Sequence, residues 1–165
     1  MYTIVDYEDP NSNLIGAYGG TDGWETDFLY PSEVVQDVCG SDIYINGLNH
    51  GWMNDFWGEI ITESIPLLIT FNVDNTITIA DQYYMQTTYN GAVQTPYDIV
   101  SVSGTWAAGG VLHIEYELSQ GGWLVSGWGL ANGYSINPYF VADITLGGKS
   151  LQTFNKKVSF VKPRR

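Results

Sequence analysis

Residues 67–118 alternate in polarity. Leu67-Leu68-Ile69-Thr70-Phe71 leads through Val73-Asp74-Asn75 into Thr76-Ile77-Thr78-Ile79-Ala80. Tyr97 to Trp106 leads through Ala107-Ala108-Gly109-Gly110 into Val111-Leu112-His113-Ile114-Glu115-Tyr116-Glu117-Leu118. An apolar residue at every second position, broken by Gly, Asn and Asp, marks antiparallel hairpins with one face buried. The chain is therefore confined to an all-β fold. Its predicted core is Leu67, Ile69, Phe71, Ile77, Ile79, Leu112, Ile114 and Tyr116.

The same reading extends along the chain. Leu14 to Tyr18 is a first strand, closed by a Gly19-Gly20-Thr21-Asp22-Gly23 turn. Trp24 to Tyr30 is a second, which Pro31 interrupts. Val34 to Val38 and Asp42 to Ile45 follow. Leu48 to Trp57 reads as a Gly-, Asn- and Trp-rich loop, with a strand resuming near Phe56. Asn90-Gly91 is a tight turn, because both residues tolerate positive φ. Trp123 to Trp128, Tyr139 to Leu146 and Leu151 to Val161 are further strands. The total is nine or ten, with no helix of three turns. Closure into an antiparallel lipocalin-like barrel, or a closely related sandwich, is the natural way to protect so many edges. At 165 residues one domain is the default. Residues 1–13 read as an N-terminal arm or linker, and 14–165 as a single β-barrel domain.

Charge excludes whole classes of partner. Residues 1–155 carry a net formal charge of −17 and residues 156–165 carry +5. So acidic a body repels phosphate backbones and anionic lipid, so nucleic acid is not an expected partner. The basic end reads as a last strand, Val158 to Val161, with lysines blunting its edge. No apolar run reaches eighteen residues, so no membrane-spanning segment is expected. Met1-Tyr2-Thr3-Ile4 lacks the basic and apolar regions of a leader. The expectation is a fragment of a larger protein.

Chemistry-bearing motifs are sparse. Cys39 is alone and cannot form an internal disulfide. His113, Glu115 and Glu117 share one strand face and could in principle ligate a metal or act as acid and base. The opposite face, Leu112 to Leu118, is a core set, so the three read as a solvated outer wall. Asp9, Asn11 and Asn13 imitate the start of a calcium loop, but Leu14 stands where glycine is needed and the closing Glu is missing. Glu59 and Glu63 carry no special weight as a glycosidase pair. No nucleophile elbow, phosphate loop or dinucleotide fingerprint occurs. The expectation is a chain that is not an enzyme and needs no cofactor or metal.

Aromatic residues are the better clue. Six Trp and twelve Tyr include several in turn-rich segments. Exposed indoles stack on the apolar faces of sugars while nearby Asn and Asp bond their hydroxyls. Trp52, Trp57, Tyr83, Trp123 and Trp128 are the candidate ligand-binding residues. Trp52-Met53-Asn54-Asp55-Phe56-Trp57 and Gly121-Gly122-Trp123 carry that character most clearly. The competing reading makes these rings core filling.

Several segments together resemble a family. They are Ile15-Gly16-Ala17-Tyr18, Ile43-Tyr44-Ile45-Asn46-Gly47-Leu48, Ile69-Thr70-Phe71-Asn72-Val73-Asp74 with Thr76-Ile77-Thr78-Ile79 and Gln82, Ser103-Gly104-Thr105-Trp106, and Leu112-His113-Ile114-Glu115-Tyr116. Over residues 14–118 the pattern resembles the lipocalin-like (calycin-type) β-barrel domain of secreted and surface lipoproteins of Bacteroidetes. Asp74-Asn75-Thr76 departs from it in lacking the usual turn glycine, and no lipid-bearing Cys stands at the N-terminus. The resemblance implies a secreted, periplasmic or outer-membrane-surface location and supplies no catalytic residues. The resulting expectation is a non-catalytic binding or accessory domain of a larger lipoprotein. Its partners would be a glycan or small apolar ligand, and a neighbouring domain or outer-membrane protein. The alternative is a structural or protein-interaction module with no small ligand.

Overall fold

Both central hairpins form, and they set the frame for everything else. The computed structural model describes residues 12–24, 29–36, 42–133 and 139–148. Among the described residues, thirteen strand segments join one antiparallel sheet. They are β1 (Gly16–Gly23), β2 (Leu29–Gln36), β3 (Ile43–Asn46), β4 (Ile60–Ser64), β5 (Leu67–Leu68), β6 (Thr70–Phe71) and β7 (Thr76–Thr78), then β8 (Gln82–Tyr89), β9 (Ala92–Val93), β10 (Tyr97–Ala107), β11 (Val111–Gln120), β12 (Trp123–Leu124) and β13 (Phe140–Leu146). A 3-10 turn (Ser12–Leu14), a π-helical turn (Trp52–Trp57) and α1 (Val125–Ala131) complete the described elements.

The segments merge into fewer lines. β4, β5 and β6 follow one another with only Ile65-Pro66 and Ile69 between them. Opposite them run β7 and β8, paired β6 to β7 and β4 to β8, with the Ile65 N–H donating to the Tyr84 carbonyl in between at 3.0 Å. Residues 60–71 and 76–89 are thus the two arms of one long hairpin. Counted this way and with the two-residue β9 and β12 set aside, each line pairs with its chain neighbours, and β13 returns to pair with β1. The result is a barrel-like up-and-down sheet. Its shortest seam joins β3 to β5, through Tyr44↔Leu68 and Ile45↔Leu67, extended by Ile69 N–H to the Ile43 carbonyl at 2.9 Å.

The inward set matches the alternation. Leu67, Ile69, Phe71, Ile77, Ile79, Leu112, Ile114 and Tyr116 are all buried. Tyr18, Tyr84, Tyr97 and Phe140 join them and fill the interior with aromatic volume. The Asn90-Gly91 turn forms with φ of 50° and 77°.

Five local readings need correction. Gly19-Gly20 is not a turn but the middle of β1, and Pro31 lies inside β2. Glycine is there for close approach: a Cβ on Gly20 would collide with the Asp143 carbonyl oxygen of the neighbouring strand. Trp52–Trp57 is a π-helical turn rather than a loop, and the next strand begins at Ile60, not Phe56. Trp123–Trp128 is strand only as far as Leu124, after which α1 begins. Finally, Glu117 is not solvated: it faces outward on β11 but lies buried beneath α1. The readings of Cys39, Asp9, Asn11 and the strand at Leu151–Val161 lie outside the described residues.

Candidate functional site

The tryptophans proposed from sequence go mostly inward. Trp52 is fully buried and Trp57 nearly so. Their rings stack at 5.2 Å, and Trp24 stacks on Phe140 at 5.1 Å while meeting Trp52 edge-on at 4.8 Å. Trp128, on α1, meets Trp57 edge-on at 5.3 Å. The turn that carries Trp52 and Trp57 therefore works as an aromatic plug for the barrel, with α1 packed on it. Trp123 stands on β12 opposite Gln120, half-buried. Tyr83 stands on β8 opposite Asp98, half-buried as well. The structure joins three of the five candidates in one core cluster and leaves Trp123 and Tyr83 in other places.

A polar network holds the plug in position. Asp22 on β1 accepts a hydrogen bond from the Asn49 backbone N–H at 2.6 Å and one from the Tyr116 hydroxyl. The Asn49 side-chain amide donates to that hydroxyl at 3.1 Å, and the Tyr84 hydroxyl donates to the Leu48 carbonyl at 2.6 Å. Asn49 adopts φ 66°, which asparagine tolerates better than most residues. Burial pushes Asp22 from its usual 3.8 up to about 7, although both hydrogen bonds pull the other way. Nearby, Glu59 accepts hydroxyl bonds from Thr87 and Tyr97 inside the core. Sequence pattern missed this network because Asp22, Asn49, Tyr84 and Tyr116 come from four segments far apart in the chain.

A concave site lies instead on the outer wall. A cleft of about 280 Å³ is lined by Ser101 and Ser103 of β10, Glu115, Tyr116 and Glu117 of β11, Leu124 of β12, and Tyr139. Leu124 is 48% exposed and Tyr139 37%, so the cleft has two accessible apolar walls. Its polar side comes from a β-bulge. Val100 pairs with Glu117 but Ser103 pairs with Glu115, so β10 carries one extra residue between them. Ser101 in that bulge has φ 55°, and its N–H is caught by the Asp81 carboxylate at 2.8 Å. Bulges gather where a strand must re-aim a side chain, and strained non-glycine backbone persists only where its surroundings enforce it.

The two glutamates differ in role. Glu117 is saturated: one oxygen accepts from the Leu118 and Ser126 N–H groups at 3.0 and 3.3 Å, the other from the Ser126 hydroxyl. It ties α1 to the barrel, and burial pushes its pKa from 4.5 up to about 7. Glu115 is half-exposed. It shares His113 with Asp143: the ring nitrogens lie 3.2 Å from Glu115 and 2.6 Å from Asp143. The Asp143 hydrogen bond, ahead of Glu115, raises the pKa of His113. His113, Glu115 and Asp143 are a cross-strand ladder beside the cleft. Among the described residues, no group of three or more His, Cys, Asp and Glu converges as a metal ion would require. No described helix is long and apolar enough to cross a membrane.

No family model matches the chain, and no curated protein or solved structure matches it either.

Proposed function

We propose that this protein is a non-catalytic binding domain whose outer-wall cleft takes a small polyhydroxylated ligand, a glycan unit. One observation carries the reading: the cleft joins two exposed apolar walls, Leu124 and Tyr139, to a row of acceptors, Ser101, Ser103 and Glu115, at a bulge held open by Asp81. A sugar presents apolar ring faces and hydroxyl donors, which this arrangement complements. A carboxylate accepts hydroxyl protons, and serine both donates and accepts. The volume lies at the small end of ligand pockets, suiting a short glycan. The up-and-down arrangement supports the resemblance to lipocalin-like domains. A secreted, periplasmic or outer-membrane-surface setting within a larger lipoprotein belongs to the same reading.

Calorimetry against a panel of mono- and oligosaccharides tests it. Wild type should bind at least one glycan, and Tyr139→Ala and Glu115→Gln should each weaken binding about tenfold or more, with melting temperatures near wild type. Absence of binding across the panel, or binding indifferent to both substitutions, overturns the reading. A second reading then takes over, a structural or protein-interaction module, which the burial of Trp52 and Trp57 favours.

A further inference from the structure

α1 is a helix that cannot stand by itself. It has seven residues, and Gly127 and Gly129 lie inside it. Glycine is among the poorest helix formers, and isolated helices need about twice that length even with good ones. Leu124, the residue before it, has no side chain that can cap its first N–H groups. What holds α1 is therefore tertiary contact, and that contact is narrow. Val125, Ser126 and Gly129 are its buried residues, while Leu130 is 47% exposed.

Two contacts pin it. At its start Glu117 of β11 supplies the missing cap: one carboxyl oxygen accepts from the Ser126 N–H at 3.3 Å and the other meets the Ser126 hydroxyl. Further along, Trp128 meets Trp57 of the plug edge-on at 5.3 Å. The attachment of α1 to the sheet is slight. β12 pairs with β11 through Ser119↔Leu124 and Gln120↔Trp123, and Gly121-Gly122 joins the two strands at φ 59° and 85°. A short ladder on a glycine turn, followed by a weak helix, belongs to the least stable part of a fold and opens before the core does.

We propose that α1 is a latched cap on the plug end of the barrel: β12 and α1 lift together from the Gly121-Gly122 turn, the Glu117–Ser126 pair is the latch, and opening bares Glu117 and Trp57. Closure takes the Glu117 carboxyl out of water and opening returns it. The closed form therefore favours the protonated carboxyl and the open form the ionised one, in keeping with a pKa raised by burial from 4.5 to about 7. The stability of the closed cap is full below about pH 4.5 and is lost as pH rises through about 7. Between pH 5.5 and 8.5 those two values let opening increase up to about thirtyfold. The other titratable groups on this face are Glu115 beside it on β11, Asp98 on β10 and Tyr139, and β12 and α1 carry none. All three are exposed or half-exposed with the cap shut, whereas Glu117 is buried by it. Leu124 is also an apolar wall of the outer cleft, so opening takes that wall away, but the cap stands without the glycan reading.

Hydrogen–deuterium exchange of the full chain at pH 5.5 and 8.5 tests it, with each rate divided by that of unstructured chain at the same pH. Amides of residues 125–131 should open about tenfold more often at pH 8.5, and should there open at least tenfold more often than those of β11 and β13. Glu117→Gln keeps a side chain of the same shape that stays neutral and still bonds Ser126, so its pH ratio for α1 should fall below about twofold. Ser126→Ala removes the hydroxyl half of the latch and should raise opening of α1 at pH 5.5 at least fivefold, with β11 unchanged. Exchange of α1 in step with β11 at both pH values overturns the proposal, because α1 would then open only with the whole barrel. So do α1 amides without protection at pH 5.5, a pH ratio that survives Glu117→Gln, or a Ser126→Ala variant that exchanges like wild type. Should Glu117→Gln not fold, wild type and Ser126→Ala decide by the same criteria.

Discussion

Asp22 links a single proton to the stability of the whole barrel. Its pKa is about 7 when folded, raised by burial, against 3.8 for a free side chain. Between those values the folded state holds a proton that the unfolded chain has released. The stability tied to Asp22 is therefore full below about pH 4 and lost as pH rises through about 7. A shift of about three units corresponds to ~4 kcal/mol as a ceiling. Glu117, raised by burial, and His113, raised chiefly by Asp143, lean in the same direction. Melts should show a falling melting temperature from pH 5 to pH 8, and Asp22→Asn should flatten much of that slope. An identical slope in the variant would assign it to other groups. Trp57 gives a second prediction at this scale. Nearly buried among Trp24, Trp52 and Trp128, it should cost roughly 3–5 kcal/mol when cut to alanine, read by chemical denaturation. Loss of glycan affinity with an unchanged melt would instead return it to the role of an exposed contact.

Among the elements, β10 shows most clearly what a linear pattern can and cannot carry. Its sequence holds two apolar series of opposite parity, Tyr97 and Ile99, then Val102 and Trp106. Alternation alone cannot place both inward. The extra residue at Ser101 resolves the conflict, because a one-residue slip exchanges the faces of a strand. The price is a strained φ at Ser101, held by Asp81 from the loop before β8. Asp81→Ala should cost about 0.5–1.5 kcal/mol, the usual net worth of one hydrogen bond. On the proposed glycan reading it should weaken binding by more than that energy implies, because the cleft wall moves with the bulge. Parallel melts and calorimetry separate the two effects, and equal losses in both would remove the bulge from the site. On the next strand the alternation has no such break. Ile114→Ala should cost roughly 2–5 kcal/mol through lost transfer energy and a cavity, measurable by urea unfolding.

At the scale of the whole molecule, charge is the property that composition determines without help from the fold. The body of residues 1–155, at −17, should leave a chain ending at residue 155 unbound to duplex DNA at physiological salt. Tight binding in a fluorescence-anisotropy titration would refute that. The strands, their hairpin turns and the inward faces of Leu67–Ile79 and Leu112–Tyr116 were legible for a related reason. They depend on period-two burial and on turn residues that tolerate positive φ, both local along the chain. The candidate site was not legible, because its parts have no spacing in common. Ser101, Glu115, Leu124 and Tyr139 meet only once β10, β11 and β12 are in register. The aromatic residues misled for the same reason: exposure is decided by what packs on a ring, and Trp24, Phe140 and α1 reach Trp52 and Trp57 only through tertiary contacts. What the sequence determined by itself is an acidic all-β chain of paired hairpins with a known inward face. Closure of the sheet, the plug, the buried Asp22 and the outer cleft were decided by tertiary structure, since each depends on groups far apart in the chain whose desolvation and pairing exist only in the folded state.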